Sequence, residues 1–92
     1  MIKIAELKEK LMSNPEFRQA YEDADAKFQL VEALIRARTM ANLSQADLAR
    51  RIGTTQSAIA RLEGGGVSPS LNTLRRYAEA TGSKLEINLV QP

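Results

Sequence analysis

Residues 43–63 read LSQADLARRIGTTQSAIARLE, and this stretch predicts two short helices joined by a tight turn. Ser44 and Asp47 have the Ser-x-x-Asp spacing of a capping box, so the first helix is predicted to begin at Ser44. Gly53 predicts the end of that helix, because glycine adopts a left-handed backbone conformation at little cost. Thr55 is the predicted cap of the second helix.

The second helix is predicted to present a polar face outward. Three residues recur at helical spacing and are expected to face inward, namely Ala58, Ile59 and Leu62. The residues left on the outer face are Gln56, Ser57, Ala60 and Arg61. Because Gln and Arg can bond to base edges, this face is typical of a helix that reads the major groove of DNA. A plain helical hairpin with a solvated polar face is the alternative interpretation.

The run SQADLARRIGTTQSAIARLEGG resembles the helix-turn-helix of Xre-family (Cro/phage-repressor-like) DNA-binding domains. Gln45, Ala49, Gly53 and the Leu62-Glu63-Gly64 ending lie at that family's spacing, and the resemblance extends over roughly residues 28–82. It implies an all-α, five-helix-type repressor-like domain over residues 28–83 that binds double-stranded operator DNA. The expected DNA-binding residues are Ser44, Gln45, Thr55, Gln56, Ser57, Ala58, Ala60, Arg61, Ser68, Ser70 and Asn72.

Residues 28–41 are predicted to form the first helix of this domain. One face of that helix carries Phe28, Val31, Leu34, Ile35 and Arg38. In the resembling family, an arginine at the position of Arg38 pairs with a glutamate at the end of the recognition helix, which here is Glu63. The resemblance therefore implies a structural ion pair between Arg38 and Glu63, with no catalytic role.

The 92-residue chain contains no cysteine and no histidine. It therefore lacks disulfides, thiolate metal ligands and the commonest general base, so no catalytic residue, metal site or cofactor is predicted, and an enzyme is not expected. No segment has the length and apolarity of a membrane span, and the beginning of the chain lacks a signal-peptide core. A cytoplasmic protein is expected.

Charge is distributed unevenly along the chain. Residues 1–27 carry five Lys/Arg and six Asp/Glu, whereas residues 28–92 carry eight Lys/Arg and five Asp/Glu. The basic excess lies with the predicted DNA-binding domain, as binding to phosphates requires.

The two ends of the chain are predicted to be additions to this domain. Residues 1–27 are predicted to form a short N-terminal helical extension with apolar stripes. At the other end, residues 84–92 are predicted to contain a single β-strand, in which Leu85, Ile87 and Leu89 alternate with polar residues. Because one strand cannot satisfy its own hydrogen bonds, we expect it to pair with a second copy or with another protein. The predicted assembly is a homodimer.

The extension, the reader and the TGSKLEINLV ending together resemble HigA-type antitoxins. This narrower resemblance implies a protein that represses its own operon and binds a HigB/RelE-like toxin, an RNA-cleaving protein. Residues 1–27 are then the predicted toxin-docking surface, with Leu7, Leu11, Phe17 and Tyr21 as contacts. Packing of the same residues onto the helix predicted over residues 28–41 is the alternative. For the whole protein, the alternative is a stand-alone Xre-family transcriptional regulator.

Overall fold

The computed structural model of the protein describes residues 3–91. These residues form five α-helices: α1 (Ile4–Met12), α2 (Pro15–Met40), α3 (Gln45–Ile52), α4 (Gln56–Glu63) and α5 (Leu71–Ala80). The predicted helix-turn-helix, with its short helices before and after Gly53, is confirmed. No helix in the described part of the chain has the length and apolarity needed to cross a membrane.

The predicted C-terminal strand is wrong. Residues 83–91 follow α5 without regular secondary structure. A strand is defined by backbone hydrogen bonds to a neighbouring strand, and residues 3–91 contain no second strand that could supply them. Of the three residues expected to alternate, Leu85 is half-buried, whereas Ile87 and Leu89 are exposed.

Helix α2 is one continuous helix of 26 residues, and it crosses the boundary predicted between the extension (residues 1–27) and the helix over residues 28–41. It begins after Asn14, whose side-chain oxygen accepts a hydrogen bond from the backbone N–H of Glu16 at 2.9 Å. It ends before Asn42, which adopts the left-handed conformation at φ 57°. No glycine or proline interrupts residues 16–40, so nothing in the backbone stops the helix at the predicted boundary.

The chain divides into two units, Met1–Leu30 and Val31–Pro92, called here the N-terminal and C-terminal units. The C-terminal unit has an apolar core to which α2, α3, α4, α5 and the α2–α3 turn contribute. Its buried apolar residues are Leu34, Leu43, Leu48, Ala49, Ile59, Tyr77 and Ala78. Helix α3 packs against both α4 and α5, so the helix-turn-helix rests on a shared core.

The N-terminal unit has no buried residue within residues 3–30. Its clearest internal contacts are between Phe17 and Tyr21, whose ring centroids are 6.4 Å apart, and between the Lys8 ammonium and the Tyr21 ring at 4.8 Å. Phe28, which was expected on an inner face, is 65% exposed. The core residues of α2 begin further along the helix, at Leu34, so Phe28 lies outside that core.

Candidate nucleic-acid interface

Helix α3 is fixed at both ends by its own sequence. At the start, the Ser44 hydroxyl accepts a hydrogen bond from the Asp47 backbone N–H at 3.0 Å, and the Asp47 carboxylate accepts one from the Ser44 backbone N–H at 3.1 Å. The bond from the Ser44 backbone, followed by contributions from the Ser44 side chain and Arg50, lowers the pKa of the Asp47 carboxyl. At the end, Gly53 takes the left-handed conformation at φ 84°, which turns the chain toward α4.

Helix α4 begins at the cap residue Thr55, whose hydroxyl accepts a hydrogen bond from the Ala58 backbone N–H at 3.1 Å. Ile59 is fully buried and Ala58 is half-buried, so one side of α4 faces the core. The opposite side is open to solvent and carries Gln56, Ser57, Ala60 and Arg61, all exposed. Within residues 3–91, the Arg61 side chain has no hydrogen-bond or ion-pair partner, so its guanidinium is available to a ligand.

The loop before α5 and the start of α5 carry the remaining expected DNA contacts. Ser68, Ser70 and Asn72 are all exposed. The Ser70 hydroxyl caps α5 by accepting a hydrogen bond from the Thr73 backbone N–H at 3.1 Å. Helices α3, α4 and α5 therefore each begin at an exposed Ser or Thr cap, at the end of the helix that favours an anion.

The last residue of α4, Glu63, is buried and receives hydrogen bonds from three other helices. The guanidinium of Arg38, on α2, donates to its two carboxylate oxygens at distances of 2.8 and 2.9 Å. The Tyr77 hydroxyl, on α5, lies 2.9 Å from the carboxylate, and the Gln45 amide, on α3, lies 3.3 Å from it. We call these four residues the Glu63 cluster, and it joins the recognition helix to the rest of the C-terminal unit.

The electrostatics of the Glu63 cluster favour its charged state. Burial raises the pKa of the Glu63 carboxyl, but hydrogen bonds from Arg38, Tyr77 and Gln45 outweigh that effect, so the pKa lies below its ordinary value. The hydrogen bond to Glu63 raises the pKa of the Arg38 guanidinium. Burial, reinforced by the bond to Glu63, raises the pKa of the Tyr77 hydroxyl. The cluster therefore holds an ionised carboxylate at neutral pH.

Two members of the cluster have positions that the sequence analysis does not predict. Tyr77 is not among the predicted site residues. A buried tyrosine hydroxyl usually has a hydrogen-bond partner, and that rule is the available signal for its role. Its hydroxyl also lies 2.7 Å from the Leu34 carbonyl oxygen. Gln45, one of the expected DNA-binding residues, is half-buried and donates to Glu63. The sequence carries no local signal for that contact, because the two residues are 18 positions apart.

Two arginines outside the expected site connect α3 and α5. Arg76, on α5, donates to the carbonyl oxygen of Ile52, the last residue of α3, at 2.5 Å. Arg51, on α3, donates to the carbonyl oxygen of Ala80, the last residue of α5, at 3.1 Å. Each helix thus places a cation at the C-terminal end of the other, where the helix dipole favours positive charge. Residues 3–91 contain no group of acidic side chains that could hold a metal ion.

This geometry defines the class of protein. Two short helices meet at a left-handed glycine, and the second exposes a polar face while its last residue is anchored in the core. The helix-turn-helix family matches residues 34–88, and the chain belongs to that family.

The chain is also similar to Antitoxin HigA1 of Mycobacterium tuberculosis, in strains CDC 1551 / Oshkosh and ATCC 25618 / H37Rv. Each is 37% identical over 84 residues, which cover 91% of this chain and 56% of the relative. The predicted resemblance to Xre-like domains and to HigA-type antitoxins is confirmed. The chain spans about half the length of these curated relatives. No solved structure matches the chain.

Proposed function

We propose that this protein is a sequence-specific DNA-binding antitoxin that represses its own operon and neutralises a HigB/RelE-like, RNA-cleaving toxin. The observation that carries the proposal is the exposed polar face of α4, anchored through Glu63, in a helix-turn-helix chain. The antitoxin part is supported by the similarity to Antitoxin HigA1, which extends over 91% of this chain, beyond the helix-turn-helix match.

The exposed face of α4 is the proposed base-reading surface. An exposed Gln56 amide can pair with adenine and the Arg61 guanidinium with guanine, each contributing ~1–3 kcal/mol of discrimination when two hydrogen bonds form. Ser57 can bond to either base edge or to the backbone, and Ala60 offers a methyl contact. Thr55 lies at the helix start beside these residues, and Ala58, half-buried, contributes less surface.

The helix starts around α4 are the proposed phosphate contacts. The exposed residues Ser44, Ser68, Ser70 and Asn72 lie at or next to the caps of α3 and α5, where backbone N–H groups favour an anion. Gln45, the first residue of α3, completes this set. The C-terminal unit also has a basic excess, since residues 31–92 carry eight Lys/Arg and five Asp/Glu.

DNA reading is tested by footprinting the promoter that precedes the protein's own gene. Gln56→Ala and Arg61→Ala should each reduce the preference for the operator over unrelated DNA by about 5- to 150-fold, which corresponds to ~1–3 kcal/mol. The matched control is Arg75→Ala, because Arg75 is an exposed arginine on α5 rather than on α4. Full specificity in both α4 variants would contradict the assignment of this face.

The N-terminal unit is the proposed toxin-docking surface. Leu7, Leu11 and Tyr21 are exposed and Phe17 is half-buried, so residues 3–30 contain apolar side chains that no core covers. Residues 1–27 carry one more acidic than basic residue, which suits a basic, RNA-binding partner. The alternative is that these residues only pack onto the helix predicted over residues 28–41. The contacts that Tyr21 makes are with Phe17 and Lys8.

A homodimer is the proposed DNA-binding form. One recognition helix reads only a few base pairs, and two-fold symmetric dimers of this class place two such helices one turn of DNA apart. Residues 84–92 are the proposed dimer contact, because Ile87, Leu89 and Val90 are large apolar residues that remain exposed. Deleting residues 84–92 should leave monomers by light scattering, with operator binding weakened. A deletion variant that is still dimeric would locate the contact elsewhere.

The alternative is that the protein is a stand-alone transcriptional regulator. The C-terminal unit alone would be sufficient for that function, because it contains the core and the exposed face of α4. Co-expression with the adjacent gene separates the two proposals. An antitoxin should co-purify with a small basic protein and suppress its RNA cleavage. Operator binding without any such partner would favour the regulator.

A further inference from the structure

The contact between Gln45 and Glu63 connects the start of α3 with the buried end of α4. Gln45 is the first residue of α3, at a helix start proposed to face a DNA phosphate. Glu63 is the last residue of α4 and part of the buried cluster. The distance from the Gln45 amide nitrogen to the nearer carboxylate oxygen of Glu63 is 3.3 Å.

The chemistry of this contact determines which way the Gln45 amide points. An ionised carboxylate can only accept hydrogen bonds, so the NH₂ group of the amide, and not its oxygen, must face Glu63. The amide nitrogen has two hydrogens, and one of them is used by Glu63. Within residues 3–91 the Gln45 amide nitrogen bonds only to Glu63, and the residue is half-buried, so its second N–H is left for a ligand outside the cluster.

Glu63 is rigid enough to impose this orientation. Its side chain is only 3% exposed, and Arg38 and Tyr77 bond to the carboxylate at 2.8 to 2.9 Å. Arg38 is held in turn by a bond to the Leu43 carbonyl oxygen at 2.9 Å, directly before the cap of α3. The positive charge of Arg38 also offsets the negative charge of the Glu63 carboxylate. Without that compensation, the carboxylate would repel a phosphate bound next to Gln45.

We propose that Glu63 is a positioning residue for DNA binding, which holds the Gln45 amide with one N–H directed at a backbone phosphate. The inference rests on the proposed DNA-binding function. It assigns the Glu63 cluster a role in affinity as well as in folding, because a glutamine that is oriented in advance loses less rotamer freedom when DNA binds.

A double-mutant cycle measured by operator binding tests the proposal. Gln45→Met keeps the volume of the side chain and removes both N–H donors. Glu63→Gln keeps the shape but leaves one acceptor oxygen, for which Arg38 is the stronger competitor. Each single variant should weaken operator binding about tenfold, the usual effect of losing a hydrogen bond to a charged group. The double variant should be weaker than either single variant by less than about threefold.

The control cycle combines Glu63→Gln with Arg61→Ala, because Arg61 is an exposed residue of α4 with no contact to Glu63. The two losses should multiply there, since sites without shared partners act independently. If the losses also multiply in the cycle with Gln45, Glu63 acts only through folding and the proposal is overturned. If the wild-type protein shows no operator binding, the proposed function fails together with this inference.

A second measurement uses only the wild-type protein, so it does not depend on the folding of a variant. In the free protein, one Gln45 side-chain amide proton should exchange with solvent at least about tenfold more slowly than those of Gln56, because a hydrogen bond must open before exchange. Gln56 is the matched reference, an exposed glutamine at the first position of the next helix. Equal amide-proton exchange rates for the two glutamines would overturn the proposal that Glu63 orients Gln45.

Discussion

The C-terminal and N-terminal units are built on different principles. In the C-terminal unit, four helices share a buried core, and a buried carboxylate ties the end of α4 to three other helices. In the N-terminal unit, no residue within positions 3–30 is buried, and α1 is a helix of nine residues. Because helices shorter than ~12–15 residues are marginal in water, α1 has little of its own to stabilise it.

This difference separates two ways of presenting a binding surface. The C-terminal unit holds its polar groups in place, since Glu63 and the helix caps fix where α4 begins and ends. The N-terminal unit instead leaves apolar side chains in water, where a partner could cover them. The first arrangement suits reading a rigid duplex, and the second suits docking a protein. Matched substitutions in the two units test this difference.

The largest effect is expected for Arg38→Ala. Removing one partner of a buried ion pair leaves the Glu63 carboxylate without its main compensating charge, which typically costs ~3–5 kcal/mol of unfolding free energy. The matched control is Arg36→Ala, on the same helix, because the pair between Arg36 and Glu32 is exposed and such pairs contribute only ~0.3–0.5 kcal/mol. Urea unfolding followed by circular dichroism measures both. Similar losses in the two variants would refute a special role for the buried pair.

The second prediction compares a core leucine with an exposed one. Leu48→Ala removes a side chain that is 0% exposed in the C-terminal unit and should cost ~2–5 kcal/mol of unfolding free energy. Leu11→Ala removes the same atoms from α1, where Leu11 is 39% exposed, and should change stability by about 0.5 kcal/mol or less. Thermal unfolding of both variants is the measurement. A large loss for Leu11→Ala would mean that the N-terminal unit has a core in solution.

The sequence predicts the parts of this fold that depend on neighbours along the chain. The capping box of Ser44 and Asp47 and the left-handed Gly53 are local, and both have the predicted conformation. The pattern around Leu85, Ile87 and Leu89 favours a strand, but strand formation depends on a partner that residues 3–91 do not supply. Alternation of apolar and polar residues indicates only which side chains would share a face of a strand. It does not show that the strand forms.

The contacts that the sequence does not predict join distant residues. Gln45 and Tyr77 meet at Glu63 because α3 and α5 pack against α4 and α2, and helix spacing alone contains no information about that. The break expected near Phe28 was placed where the domain resemblance begins, whereas the backbone of α2 has no reason to stop there. The boundary of a domain and the boundary of a helix have different physical causes. Only the helix boundary is set by the local sequence.

The third prediction concerns docking by the N-terminal unit. The double variant Phe17→Ala, Tyr21→Ala should weaken toxin binding by ~2 kcal/mol or more if both rings are interface anchors. Operator binding and the melting temperature should remain nearly unchanged, because neither ring is buried. The control is Arg18→Ala with Glu22→Ala, exposed neighbours on the same helix. Unfolding of the aromatic variant, or undiminished toxin binding, would show that the rings serve only the unit itself.

The smallest effect is the response to acid, which should arise in the C-terminal unit. The folded-state pKa of Glu63 lies below its ordinary value of about 4.5, so as pH falls through this range the folded state binds fewer protons than the unfolded state. The stabilisation is therefore present above the ordinary pKa and is lost as pH falls through the folded-state pKa. Asp47, whose pKa is lowered by its capping bonds, acts in the same direction.

Titration of Glu63 changes the free energy of unfolding by at most ~1.4 kcal/mol per pH unit. Urea unfolding of the wild type at several pH values between 3 and 6 should show this slope, and Glu63→Gln should show less of it because its side chain does not titrate. Glu22→Gln is the control from the N-terminal unit, where Glu22 is exposed. It should keep the full slope. If Glu63→Gln and Glu22→Gln have the same pH dependence, the acid sensitivity lies outside the Glu63 cluster.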